Sequence, residues 1–209
     1  MISEIAIQRI DCEQKHVVWE ALARLHEDQI DGGFLASLGT RTLALLYSRL
    51  ARSPRAVLFV ATTGGHDPTV VGFICGSTDT GKVYKDIILR SWPQFLPRIL
   101  PKLFSLGAAK RIAETLLYPA KKPPAPDLPK SEILNFCVSG TAQRKGVGRA
   151  LFNALMTEFR RQEITACKIV TGASQVKAQR FYDALGAVRV ATFEVHQGTQ
   201  SVLYTFNIR

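Results

Sequence analysis

Residues 132–148 read Glu132-Ile133-Leu134-Asn135-Phe136-Cys137-Val138-Ser139-Gly140-Thr141-Ala142-Gln143-Arg144-Lys145-Gly146-Val147-Gly148, and this stretch decides the fold. Its first seven residues, apolar apart from Glu132 and Asn135, are short enough for a strand. Beyond the loop, Val147, Leu151 and Leu155, with Phe152, Met156 and Phe159, recur at helical spacing, which predicts a helix from Gly146 to about Gln162. Glycines at 146 and 148 remove the Cβ atoms that would hold a backbone away from a bulky anion. The first turn of the helix also presents unpaired N–H groups at the positive end of its dipole. A phosphate or pyrophosphate fits there, with Arg144 and Lys145 adding charge from the loop. Glycines at this spacing also serve ordinary tight turns, so the surrounding order of elements has to decide.

Downstream, a strand over Lys168–Thr171 precedes a helix over Gln175–Leu185, with Ala178, Phe181 and Leu185 inward and Gly186 placed to stop it. Strands over Val188–His196 and Val202–Ile208 are joined by a hairpin at 197–200. Upstream, Ile5, Ile7 and Ile10 suggest an opening strand, followed by an amphipathic helix over 13–29 that Asp31-Gly32-Gly33 breaks. A second helix is expected over Thr40–Arg52, then strands over Ala56–Thr62 and Thr69–Cys75 joined by a Gly-, Asp- and Pro-containing hairpin loop. The stretch 82–128 differs in character and reads as a basic, apolar helical insertion between the third and fourth strands. In it Pro93, Pro97 and Pro101 interrupt an apolar run, Ala108–Leu117 is the more regular helical part, and Pro119–Pro126 forms a stiff linker.

The 209 residues suit one domain carrying that insertion, so 1–209 is read as a single domain. With 46% apolar and 21% charged residues, the chain is neither disordered nor fibrous. A net charge of +10 points to an anionic partner, and the segment 82–130, with ten basic residues against three acidic, supplies +7 of it. Cys12, Cys75, Cys137 and Cys167 lie far apart without metal-ligand spacing, so no metal and no disulfide framework is expected, and reduced thiols suit the cytoplasm. The opening Met1-Ile2-Ser3-Glu4-Ile5 lacks the pattern of a secretory leader. No run approaches the roughly 20 apolar residues of a membrane span. No Gly-Lys-Ser/Thr follows the glycine loop, and no acidic strand end follows it either, which excludes a Walker loop and a dinucleotide site.

The order strand, Gln143-x-x-Gly146-x-Gly148, helix, strand, then Ala178-x-x-Phe181-Tyr182-x-x-Leu185-Gly186 resembles the GNAT superfamily of acyl-CoA-dependent N-acetyltransferases. The resemblance is close from Glu132 to Ala187, compatible in element order outside the insertion, and absent within it. It implies an α/β fold of GNAT type: a mixed, mostly antiparallel twisted sheet flanked by helices. It also implies acetyl-CoA as cosubstrate. The family's Gln/Arg-x-x-Gly-x-Gly/Ala loop maps onto Gln143, Arg144, Lys145, Gly146, Val147, Gly148 and Arg149 as the pyrophosphate contacts. Its later Asn position is Gln175 here, a departure, with Ala178 following.

By the same resemblance the pantetheine arm lies between the strands 133–138 and 168–171, placing the thioester near Phe136, Cys137 and Val138, where a backbone N–H can hold the developing oxyanion. Tyr182 falls where the family places the proton donor to the leaving thiolate, and an ordinary tyrosine is protonated at neutral pH. Glu132 is the candidate general base, acting through water, and equally reads as an ion-paired carboxylate. Asn135 and His196 are the candidate substrate-binding residues, the latter because the last hairpin borders the acceptor pocket in many GNAT proteins. Cys137, isolated in an apolar strand, reads as packing.

The expected reaction is acetyl transfer to the primary amine of a small molecule, such as an amino sugar, a sugar nucleotide or an amino-acid derivative, by direct attack in a ternary complex. The alternatives are a longer-chain acyltransferase, an enzyme of lipid- or membrane-associated acceptors, and a CoA-binding module without catalysis. No nucleic-acid motif is present. A homodimer and peripheral membrane contact through the insertion are the remaining partner expectations.

Overall fold

The computed structural model describes residues 5–30, 35–64, 68–103, 125, 127–196 and 199–209. Runs rich in Val, Ile and Phe form β1 (Ile5–Ile10), β2 (Ala56–Thr63), β3 (Val70–Ser77), β4 (Glu132–Val138), β5 (Ala166–Gly172), β6 (Val188–His196) and β7 (Thr199–Asn207). They make one sheet in the order β1-β2-β3-β4-β5-β7-β6, antiparallel throughout except for β4 against β5. The mixed, mostly antiparallel sheet expected from the sequence is therefore present.

Five α-helices flank it among the described residues: α1 (His16–Gln29), α2 (Thr40–Leu50), α3 (Thr80–Leu103), α4 (Val147–Arg161) and α5 (Val176–Ala184). Helix α1 starts three residues later than the periodicity predicts, because the Glu13 N–H bonds Asp11 Oδ1 in a turn instead of entering the helix. One core lies under α4 and α5. Leu151, Phe152, Leu155, Met156 and Phe159 are buried there against Val57, Ile74, Ile133 and Ile169, at about 1.5–3 kcal/mol for each large side chain. The approach of α4 depends on Gly76: a Cβ there would stand 2.7 Å from Phe159 Cζ and 2.8 Å from Leu155 Cδ1.

The second core, on the opposite face, joins α1 and α2 to the sheet through Leu22, Leu43, Tyr47, Leu58, Phe73 and Val83. Within it His26 Nδ1 and the Tyr47 hydroxyl share a 2.5 Å hydrogen bond, and the Tyr47 ring meets Phe73 edge-on.

The insertion begins as a helix, as expected, but its prolines do not interrupt it. Its first part is one helix, α3, running through Pro93, Pro97 and Pro101. Proline removes an N–H donor and crowds the preceding turn, yet its fixed φ is helical, and the spacing of four aligns the three missing bonds on one side of the helix. Asp79 caps α3, its side chain accepting from the Lys82 N–H at 3.0 Å and its carbonyl from the Val83 N–H at 3.0 Å, so the helix begins at Thr80, two residues ahead of the expected boundary at 82. The expected helix 108–117 and most of the linker 119–126, like the breaker 31–33 and the tip of the last hairpin, lie outside the described residues.

Candidate active site

Strand β4 is paired along its length with β3 but touches β5 only through Glu132↔Lys168 and Ile133↔Ile169. The β3 register slips at this point: Gly76 faces Ile133 and Cys75 faces Asn135, leaving Leu134 as the extra residue of a bulge. A bulge bends its strand and shifts the alternation of side chains. The shift is visible in the packing, since Ile133, Phe136 and Val138 join the α4 core while Leu134 and Cys137 join the α1–α2 core. From Leu134 onward β4 and β5 diverge. Residues 134–138 and 170–172 line a slot along which β4 and β5 form no ladder with each other, although β5 remains paired with β7 on its far side. Buried or ligand-facing backbone groups require partners.

At the open end of the slot the chain turns through Gln143-Arg144-Lys145-Gly146 into α4. Gln143 does not reach outward: its Nε2 donates to the Val138 carbonyl at 3.0 Å and to Gln29 Oε1 at 3.3 Å, holding the end of β4. Arg144 (φ 59°) and Gly146 (φ 82°) both take the left-handed conformation, the backbone form of an anion-binding nest at a helix N-terminus. Arg144, Lys145 and Arg149 are exposed around it. Val147 is buried beneath the turn as an anchor. A Cβ on Gly148 would meet Phe181 and Phe136 only at 3.5–3.6 Å, so the protein itself tolerates a side chain there, and the glycine keeps the backbone open to an incoming group.

Helix α5 closes the slot from the β5 side. Gln175 precedes it, its Oε1 accepting from Thr171 Oγ1 at 2.9 Å, so this residue holds the helix to the strand. Ala178 and Phe181 pack on the α4 core, with Phe181 edge-on to Phe136 at 5.5 Å. Tyr182 is buried against Phe181 and Tyr204. Burial raises its hydroxyl pKa well above the usual value, with the Cys137 and Cys167 thiols near enough to add to the effect. Those cysteines belong to β4 and β5, so Tyr182 stands by the gap between the strands. Burial pushes both thiols up to about 12, which makes Cys137 a packing residue and a poor nucleophile.

Glu132 sits at the closed end of the slot, 5% exposed. Its Oε2 is 3.6 Å from Lys168 Nζ and has no hydrogen-bond partner among the described residues. Burial raises its pKa, opposed by Lys168 and by a hydrogen bond from Thr80. Thr80 in turn is 2.8 Å from Ser77 Oγ. Asn135 faces Cys75 beside the bulge. His196 is the last residue of β6, and its side chain lies outside the described residues.

Sequence reasoning missed Lys168, Thr80 and Gln179. A lone lysine within Cys167-Lys168-Ile169-Val170 was the available signal for the first. Gln179, whose Nε2 donates to the Gly172 and Ala173 carbonyls at 3.1 and 2.9 Å, carried none. Among the described residues no cluster of three metal-ligating side chains occurs.

A parallel strand pair splayed at a bulge, with a left-handed glycine turn at its mouth, is the candidate site for acyl-CoA. The family model for the GNAT family of acetyltransferases matches residues 19–187, and the chain belongs to that family. None of the curated proteins matches it by sequence. Solved structures share the fold at low identity. The ribosomal-protein-S18-alanine N-acetyltransferase of Escherichia coli is similar with TM-score 0.58 and 13% identity over 98% of this chain and 94% of that one. NAA60 of Arabidopsis thaliana, solved with acetyl-CoA, gives 0.59 and 15% over 98% and 99%. An N-acetyltransferase from Staphylococcus aureus Mu50 gives 0.60 and 12% over 99% and 100%.

Proposed function

We propose that this acetyltransferase moves the acetyl group of acetyl-CoA to a small primary amine by direct attack. The slot between β4 and β5 carries the reading: two strand edges without a shared ladder, open at an anion-binding turn, suit a diphosphate whose amide-bearing arm continues inward as an added strand. Arg144, Lys145 and Arg149 would neutralise the diphosphate while the N–H groups of the turn hold it. The cosubstrate supplies the activated acyl group.

The amine nitrogen forms its bond to the acyl carbon as the carbon–sulfur bond breaks. A β4 backbone N–H beside the bulge stabilises the charge on the acyl oxygen. Tyr182, kept protonated by burial, gives its proton to the leaving sulfur. Glu132, whose carboxylate pKa burial raises toward the working range of a base, receives the proton of the amine through water. Helix α3 packs against α2 on the sheet face opposite α4, which supports a compact acceptor over an extended peptide there.

Acetyl-CoA turnover with a panel of amino sugars, sugar nucleotides, amino-acid derivatives and short peptides tests both halves of the proposal. Small amines are expected to be acetylated. A peptide α-amine outrunning all of them overturns the acceptor class, and binding of acetyl-CoA without turnover on any amine overturns the reaction.

A further inference from the structure

Helix α3 carries an apolar face that nothing among the described residues covers. Val83 and Ser91 are buried and Ile87 is half-buried on the side toward the domain. Ile88, Trp92, Leu96 and Leu100 follow one another at steps of four, and with Leu89 they are 37, 56, 44, 48 and 63% exposed, respectively. Residues four apart share one side of a helix, and Leu89, two residues from both Ile87 and Ser91, points away from them. The result is an apolar stripe on the outer side of α3, edged by the exposed Pro93 and Pro97. The helix carries Lys82, Lys85, Arg90, Arg98 and Lys102 against the single acid Asp86, whose carboxylate is 3.1 Å from Arg55.

We propose that α3 lies flat on an anionic lipid surface, with Leu89, Trp92, Leu96 and Leu100 entering the boundary between headgroups and acyl chains and the exposed Lys82 and Lys85, seven and four residues before Leu89 and so on its side of the helix, meeting lipid phosphates. An exposed tryptophan and leucines beside lysines match the chemistry of that boundary, where the apolar stripe gains burial and the cations gain counter-charge. A second copy of the chain fits worse, because a two-fold contact sets this patch against itself and brings Lys82 and Lys85 toward like charges. The contact is peripheral, since no described helix is long and apolar enough to cross a membrane. It stands independently of the acyl-transfer reading.

Co-sedimentation of the full chain with phosphatidylcholine vesicles, with and without phosphatidylserine, tests it. Binding is expected to the anionic vesicles, to fall as salt rises, and to weaken about fivefold for each of Lys82→Gln and Lys85→Gln, the equivalent of about 1 kcal/mol per cation. The triple variant Leu89→Ser/Trp92→Ser/Leu96→Ser, with an unchanged circular dichroism spectrum, is expected to lose it. Tryptophan emission provides a second readout: Trp19 is 5% exposed, so a blue shift on anionic vesicles reports Trp92, and Trp92→Phe should abolish the shift while still sedimenting. The proposal is overturned if anionic vesicles do not bind. It is overturned equally if the triple variant binds as well as the parent, which makes the attraction charge alone, or if the free chain is a dimer that the triple variant dissolves.

Discussion

Tyr182 and Glu132 are buried polar side chains held by different means, and each gives a distinct experimental signature. Tyr182 is packed by aromatic rings and its hydroxyl pKa is displaced upward, so Tyr182→Phe keeps the packing and removes only the proton. Turnover is expected to fall 100-fold or more, the typical scale of general-acid catalysis, while acetyl-CoA affinity measured by calorimetry stays unchanged. Glu132→Gln should remove the acidic limb of the rate profile, a limb placed above the ordinary carboxylate range because burial raises this group. A parent profile without such a limb would count against the base assignment. Gly146 (φ 82°) belongs to the other end of the slot, and Gly146→Val is expected to weaken acetyl-CoA binding through a strained turn. The sequence singles out Gly146 by its glycine spacing, Tyr182 by the family resemblance and Glu132 by its place at the entry of the strand. Lys168 and Thr80 were not singled out, since their importance comes from strands and a helix start that meet only in the folded chain.

Among the elements, the approach of α4 to β3 is set by an absent side chain. Gly76→Ala would push a methyl group to within 2.7 Å of Phe159 and is expected to cost about 1–3 kcal/mol in urea unfolding, as overpacked cores do. Periodicity predicted α4, α5 and most strands because each buries one face, and one-sided burial writes itself into the order of residues. It misjudged only the continuity of α3, for a physical reason. Three prolines read locally as breaks, whereas four-residue spacing keeps the lost hydrogen bonds on a single side, and the Asp79 cap that begins the helix is a single residue without periodicity. The bulge at Leu134 was likewise hidden, because it is a property of the pairing with β3 and not of either strand alone.

At the scale of the whole molecule, acid stability has two separate windows. His26 is 1% exposed, and burial lowers its pKa to about 4, so the folded state holds it neutral; this contribution is complete above pH 6.5 and is lost as pH falls toward 4. The double variant His26→Leu/Tyr47→Phe removes both partners of the buried hydrogen bond and should flatten the fall of the urea midpoint across that window. Glu158 acts lower. The Arg161 hydrogen bonds, with Gln162 and Arg9, hold it at about 2, and its contribution is full above about 4.5 and lost between there and 2, so Glu158→Gln should blunt only the later loss. Thiol labelling of the native protein is expected to mark Cys12 alone, since Cys75, Cys137 and Cys167 are buried with raised pKa values.

The two residue pairs that join β4 to β5 have a mechanical consequence. They divide the sheet into a four-stranded and a three-stranded body that share a narrow seam, so native-state breathing should concentrate there, with the β4–β5 rungs opening before those of β3–β4 or β5–β7. A cosubstrate laid along the seam supplies the missing rungs and becomes a brace. Amide exchange across 133–138 and 169–172 should then slow on acetyl-CoA binding by more than in the outer strands, which makes the protein most rigid at the moment its chemistry occurs.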